Sequence, residues 1–512
     1  MVIELPEGYY RTNFIELIEH VFAVFEDLLS DGERVLYRQF QAASEPAQKL
    51  YVRMLTRKGC LFRLDKLVYD EIADNAAAAH ELAQCGLVTV NPELGIDDLL
   101  GLYSKPQWLK ILAEHEIETK KLKGLKRAEF DVALGALGEH VAIKEIIVQL
   151  VESERFNTFK LLFFGNLEQD LTEFVLRDLG LYRFENTTID KSVRLFTSRE
   201  QIEQYLAYYH LLEDLDVVLT QDAAAIVALH KKLPKASAHD KILNRRIQRV
   251  NLTLARQLER VDALEQALSI YNCCQLPPAR ERSARILVKQ DKVEDALALC
   301  RMMMDEPLCD EESVIGSEFG YRTAKKHKLP WPEPDKYQPP TETIELVQSG
   351  QGVEVDVAQH LNKNGECHFV ENALFCSVFA LHYWDVIFAP VRGAFTHPFQ
   401  IRPHDLYDND FVSNRLVEFE KAQALVADIN HNIPRYLDLW REKFGSATPF
   451  VHWDTLDEAL LTKALTRIPA AHWQAIFARL WADIRANRSG FADLILFPDI
   501  EGKSGGEDGG YE

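Results

Sequence analysis

The sequence predicts a mostly α, multidomain chain that closes on a small α/β domain. Three observations carry this. Over most of the first 330 or so positions apolar residues recur at mixed three and four spacings, the mark of helices with one buried face. A proline-rich stretch, His327 to Ile344, interrupts that pattern and reads as a stiff extended linker. Beyond it, Arg488 to Phe497 (RSGFADLILF) leads from a glycine turn into Leu494, Ile495, Leu496 and Phe497, an apolar run of strand length that reads as a strand buried on both faces. At 512 residues the chain is too long for a single core, and three or four domains are expected.

Composition narrows the function classes. A hydrophobic share of 47% fits a folded globular protein. The net charge of −21, from 58 basic and 79 acidic residues, excludes a generally basic surface, so any nucleic-acid contact has to be local. The eight cysteines show no Cys-x-x-Cys spacing, which argues against zinc and for small apolar residues in a reduced, cytoplasmic protein. The start, MVIELPEGYYRTNF, is no secretory signal, and no run reaches membrane-spanning length. Gly502, Lys503 and Ser504 match the end of a phosphate-binding loop, but Phe497 stands where its first glycine belongs, so no nucleoside triphosphate is expected.

Residues 1–100 read as a helical domain, with helices over Phe14 to Leu29 and within Asp65 to Leu87. Arg53, Arg57, Lys58 and Arg63 surround an apolar face there, and a solvated helix face and a DNA contact both fit them. Residues 101–150 resemble a SAP-type helix, link, helix module. The first helix is expected from Pro106 to about His115, with proline near the first turn where its missing N–H does least harm, and the second from about Lys126. Lys120, Lys121, Lys123, Lys126 and Arg127 cluster in and after the link. Seven basic against four acidic residues from Gly101 to Phe130 give a local charge of +3, suited to gripping a DNA backbone or simply to a basic loop.

Residues 151–335 read as helix pairs, with a likeness to degenerate tetratricopeptide units around the Pro277-Pro278 break. Within them, Lys241, Arg245, Arg249, Arg256 and Arg260 fall on one side of a helix whose other side carries Leu243, Ile247, Val250, Leu254 and Leu258. Nine basic and only two acidic residues from Lys231 to Arg260 leave this stripe poorly paired locally, as a phosphate-tracking surface would be. Residues 341–512 form the last domain. One or two strands are expected within Leu346 to Val357, then a core helix in HFVENALFCSVFALHYWDVIF (His368 to Phe388) with Glu371 in its first turn. Asp493 is the acid at the mouth of the final strand. Hard oxygen ligands brought from two distant segments are what Mg²⁺ or Mn²⁺ sites use.

The pairing of HFVENALF with DIRANRSGFADLILF, together with KLYVRMLTRKGCLFRLDKLVYDEIAD (Lys49 to Asp74), resembles the Fanconi-associated nucleases, whose last domain is a VRR-NUC member of the PD-(D/E)XK superfamily. The likeness spans nearly the whole chain and fits the shorter bacterial form without the N-terminal zinc finger. It implies that Glu371 and Asp493 are catalytic metal ligands for Mg²⁺ or Mn²⁺, and that Arg485 and Arg488 face DNA phosphate. It further implies a structure-selective endonuclease on 5′-flap or branched DNA, with 5′–3′ exonuclease trimming, acting in interstrand crosslink repair. The family motif continues into a Glu-x-Lys strand expected beyond Glu512, where no lysine follows two positions on. A chain ending there would hold two of the carboxylates and lack the lysine, so the alternative expectation is a DNA-binding or protein-scaffold module that does not cut.

Overall fold

The computed structural model describes residues 5–117, 119–136, 143–235, 237, 239–335 and 338–499. The chain divides into two compact units, one of residues 1–182 with 189–206 and one of residues 183–188 with 207–512.

The first unit is helical with one small sheet. Its long opening helix, Tyr9–Phe25, buries Phe14, Leu17, Ile18 and Val21, the three and four spacing that predicts it. The next, Asp31–Ala42, begins at a capping box in which Ser30 and Glu33 satisfy each other's backbone N–H groups. The helix expected within Asp65 to Leu87 is confined to Asn75–Gln84, because the Asp74 carboxylate caps it by accepting from the N–H groups of Ala76 and Ala77. What the periodicity misses is a three-stranded antiparallel sheet with β3 (Ile147–Leu150) between β1 (Leu61–Arg63) and β2 (Val88–Val90). Strands of three or four residues are too short to show an alternation. The two helices of the SAP-like module are Lys105–Glu114 and Arg127–Gly135, close to the expected limits, and they close over Trp108, Leu112, Phe130 and Leu134.

The second unit contains the arginine-bearing helix Lys241–Arg260, whose apolar side buries Leu243, Val250, Leu254 and Leu258. Four further helices follow, Leu264–Tyr271, Ala279–Lys289, Val293–Asp305 and Asp310–His327. Close approach explains their small residues. A Cβ at Gly316 would meet the Cys300 carbonyl, and one at Gly320 would meet the indole of Trp331, which docks the start of the proline-rich segment on this last helix. The strand expected within Leu346 to Val357 is instead the helix Val353–Leu361. Its valines suggest a strand, but Glu354 and Asp356 favour a helix start, and the Asp356 carboxylate accepts from the Ser349 N–H.

Then comes a two-stranded antiparallel sheet, β4 (Gly365–Phe369) with β5 (Leu494–Pro498), in the register His368 with Ile495 and Phe369 with Leu494. Among the described residues β5 pairs with β4 alone. Only Phe497 of it is buried, so the expectation of burial on both faces is not met. The predicted core helix is also shorter than its apolar run: His368 and Phe369 belong to β4 and the helix is Ala373–His382. Its Leu374, Val378, Phe379 and Leu381 form the core with Phe450, Leu461, Trp473, Phe477 and Leu480.

Inside that core His382 is held neutral. Its Nε2–H donates to the Ala422 carbonyl at 2.8 Å and its Nδ1 accepts from the Tyr436 hydroxyl. Burial pulls its pKa from 6.5 down to about 4. A histidine depressed in the folded state contributes stability fully present above about pH 6.5 and lost as pH falls towards 4, since only the unfolded chain takes up the proton in that interval. The expected outcome is a loss of about 3 kcal/mol from this unit across that window. A melting-temperature profile against pH checks it, and His382→Gln should flatten the window.

Candidate functional site

The two predicted acids meet through the main chain. The carbonyl of Asp493 accepts two hydrogen bonds, from the N–H of Val370 at 2.8 Å and from that of Glu371 at 3.0 Å. This clamp continues the β4–β5 ladder past Phe369 and fixes the turn that leads into helix Ala373–His382. Glu371 lies in that turn and not in the first helical turn as expected, with φ 38°, a left-handed conformation that costs a non-glycine residue roughly 1 kcal/mol or more. Strain of this kind persists where the surroundings over-determine it, and here the Asp493 carbonyl and the neighbouring Asn372 do so. The Asn372 side chain donates to Glu371 Oε1 at 3.4 Å, and its oxygen accepts from the Phe491 N–H at 3.1 Å in the turn before Asp493.

Both carboxylates are exposed, and neither has an ion-pair partner among the described residues. Exposed carboxylates with no cationic partner are hard oxygen donors of the kind a divalent ion uses. No group of three or more His, Cys, Asp or Glu residues able to hold a metal occurs among the described residues. Two carboxylates alone would leave most positions of a hard divalent ion to waters or other oxygens. His368 is not part of the pair: it sits edge-on to Phe497 with ring centroids 5.9 Å apart, and its Nε2 is 3.8 Å from Glu366.

A cationic cluster forms in the same unit. Arg485 lies over the Tyr407 ring with its guanidinium 4.8 Å from the centroid, and Arg402 lies 4.9 Å from that same centroid. From the arginine helix, Arg245 donates to Asp408 at 2.7 Å and to the His404 carbonyl at 3.3 Å. Arg249 sits among like charges: desolvation first, then Arg245, Arg485, Arg402 and Arg246, pull its pKa below the ordinary arginine value. His404 is pushed down to about 3, by burial first and then by Arg246, Arg402 and Arg245. A loop that packs neutral histidine among arginines has been built to tolerate concentrated positive charge. An incoming anion relieves it.

The rest of the stripe is better paired than its local sequence suggests. Lys241 is bound to Asp410, and Arg256 donates to the buried Glu259 at 2.9 Å, which also holds Arg282. The expectation of an unpaired stripe is corrected here, because Asp408 and Asp410 arrive from a loop far along the chain. Arg260 is exposed. Arg488 contributes its carbonyl to the Cys376 thiol at 3.3 Å, and its guanidinium lowers that thiol's pKa slightly against the larger upward push of burial.

In the first unit, Lys120, Lys121, Lys123 and Lys126 are exposed in the link, which Lys105 holds in shape by donating to the carbonyls of Lys123 and Leu125. Arg127 differs from them. It donates to the carbonyls of Tyr103 and Leu100 and to Asp131, so three of its five N–H donors hold the module together.

Comparison with known proteins follows this geometry closely. A family model described as "FAN1, HTH domain" matches residues 8–89, and one described as "VRR-NUC domain" matches residues 430–504. The "Fanconi-associated nuclease 1 homolog" of Pseudomonas aeruginosa is 33% identical over 503 residues, covering 96% of this chain and 89% of that protein. The chain belongs to the Fanconi-associated nuclease family. A crystal structure described as paFAN1 bound to 2nt 5′-flap DNA with a gap superposes with a TM-score of 0.82 at 32% identity, over 96% of this chain and 90% of that one. The human "Fanconi-associated nuclease 1" is 23% identical over 593 residues, and this chain spans 58% of its length. Family membership makes the protein a DNA-hydrolysing nuclease, and VRR-NUC nucleases are metal-dependent. No helix among the described residues is long and apolar enough to cross a membrane.

Sequence reasoning misses Asn372, Arg246, Arg402 and Tyr407. Asn372 stands beside a predicted ligand in HFVEN and is the one that closer reading could find. Arg246 lies in the basic segment but off the side of the helix that the stripe marks out, and Arg402 and Tyr407 lie in a loop whose composition carries no signal for a site. The strain at Glu371 gives a test separate from activity. Glu371→Gly is expected to be more stable than Glu371→Ala by about 1 kcal/mol, since only glycine occupies this conformation freely, and equilibrium denaturation of the two variants checks it.

Proposed function

We propose that this member of the family is a structure-selective endonuclease that cuts 5′-flap or branched DNA, with 5′–3′ trimming, in the repair of interstrand crosslinks inside the cell. The observation that supports the reading is the Asp493 carbonyl clamp, which joins the backbones of two acidic residues from distant segments, both with exposed side chains. Glu371 and Asp493 would hold a Mg²⁺ or Mn²⁺ ion, which when bound lowers the pKa of a water and neutralises charge on the scissile phosphate. Asn372 keeps the Glu371 carboxylate turned towards the Asp493 segment. Arg485, Arg249 and Arg402 receive a phosphate of the branched strand, with the Tyr407 ring as the wall that orients two of the guanidiniums. Arg488 extends this surface towards the acids. In the other unit, Lys120, Lys121, Lys123 and Lys126 grip duplex backbone without reading bases. The division into residues 1–100, 101–150, 151–335 and 341–512 is the working map of these roles. That the related paFAN1 has been crystallised with flap DNA supports the choice of substrate.

A labelled 5′ flap incubated with the protein and Mn²⁺ should be cut. Asp493→Asn and Glu371→Gln should each slow cutting by at least about a hundredfold and weaken Mn²⁺ binding, read by calorimetry, by at least about tenfold. Unaltered Mn²⁺ affinity in both variants overturns the metal assignment, and tight binding of the flap without cutting assigns a holding role instead.

Arg249→Glu should weaken flap binding and reduce the slope of log K against log salt by about 1 or more, whereas Arg256→Glu should change both less, because Arg256 is committed to Glu259. Fluorescence anisotropy over a salt series measures the two together. Equal effects from both substitutions would remove the arginine cluster from the DNA surface.

A further inference from the structure

The first unit holds a cavity of about 450 Å³ that none of the roles above uses. It lies between the end of helix Glu45–Leu55 with the loop after it, β3, and the helix Arg155–Phe164. Three cations line it, Arg57, Lys58 and Lys160, while Leu55, Leu150 and Leu171 give it an apolar floor.

Lys160 is the informative one. It is half-buried, and among the described residues its ammonium has neither an ion pair nor a hydrogen bond. The acids that share the cavity do not neutralise it. Asp170 acts on it only at a distance, and one oxygen of Asp170 already accepts from the Thr172 N–H at 2.8 Å; Glu154 makes no ion pair with it. Burial accordingly pulls the Lys160 pKa below the usual lysine value. A partly desolvated ammonium with no counter-charge costs stability that an entering anion would restore, so the cavity is set to receive one. Its size exceeds that of a bare phosphate and lies within the range of small-molecule sites. Apolar floor and cationic wall together suit a group with one oxyanion end and one flat or apolar end. At the mouth, the loop from Arg57 to Cys60 turns at Gly59, φ 91°, where a side chain would meet nothing within 4 Å.

We propose that this cavity binds a nucleotide unit, with Lys160 pairing its phosphate, Arg57 and Lys58 at the entrance, and the sugar or base against the leucines. The phosphate has two possible sources, a free nucleoside monophosphate or one residue of a DNA strand. The site shares no residue with Glu371, Asp493 or the arginine cluster, so it stands or falls independently of the nuclease reading.

The test uses the whole protein without divalent metal, so that cutting plays no part. In one arm dAMP, with inorganic phosphate as the bare oxyanion, is titrated by calorimetry against the wild type, Lys160→Met and Lys160→Arg. In the other arm unflapped duplex DNA is bound over a salt series by the same three proteins. The expected result is at least a tenfold loss of dAMP affinity in Lys160→Met, or about a fivefold loss of duplex affinity with a salt slope smaller by about 1, with Lys160→Arg close to wild type in either case. The first outcome assigns a free nucleotide and the second a strand. Lys160→Met should melt no lower than wild type, since it removes an uncompensated cation, and so a loss of binding will not be a loss of fold. If Lys160→Met matches wild type in both arms, the proposal is overturned.

Discussion

A single carbonyl oxygen, that of Asp493, organises the nuclease site by accepting from two successive N–H groups, Val370 and Glu371. Both residues so joined are acids, and the link between them is main-chain hydrogen bonding that does not depend on what their side chains carry. The arrangement then forces Glu371 into a left-handed backbone, and Asn372 ties it to the turn at Phe491. Gly365, at the other end of β4, shows how closely these strands approach: a Cβ there would collide with the Phe497 carbonyl. The acids are thus set by a ladder that extends into the apolar core through Phe497 and is indifferent to their charge.

The arginine cluster answers a different problem, that of holding like positive charges together. Asp408 takes Arg245, the Tyr407 ring stands beside both Arg402 and Arg485, and His404 remains neutral. The loop that carries these partners is itself anchored by the buried Arg415, which makes a two-pronged bond to Asp405 at 2.7 and 2.9 Å. Burial raises the pKa of Asp408 even against the pull of Arg245. The guanidiniums are thus held in place by the protein itself, and an anion binding there would have little reorganisation to drive.

The sequence made legible whatever depends on local periodicity or on residues adjacent in the chain. The SAP-like helices, the arginine helix and the break at the prolines belong to this class. Pairing over long separation was not legible. The carboxylates that neutralise Lys241 and Arg245 come from Asp410 and Asp408, so a stripe judged unpaired from its own thirty or so residues is largely paired in three dimensions. Arg127 misled for the same reason: its charge counts towards the basic link, yet its donors close on Leu100 and Tyr103. The strand assignment at Val353 failed because β-branched residues weigh little against a start sequence that suits a helix.

Substrate grip and chemistry are also joined by a short, rigid piece of chain. Arg485 belongs to the single turn Ile484–Asn487, which begins at the Asp483 cap, where the carboxylate accepts from the Ala486 N–H at 3.0 Å, and Asp493 follows a few residues later. Asn487 pins that turn from its far side, donating to the Arg479 carbonyl at 2.8 Å and to Asp310 at 3.2 Å, and Asp310 in turn binds Arg479 at 2.6 Å. Asp310 opens the last tetratricopeptide-like helix, so that helix acts as a brace for the segment bearing Arg485 and Asp493. Arg485, whose guanidinium lies over the Tyr407 ring, and Asp493, whose carbonyl clamps the end of β4, therefore hang on one short stretch of chain fixed from outside by Asp310, so neither position is set by its own loop alone.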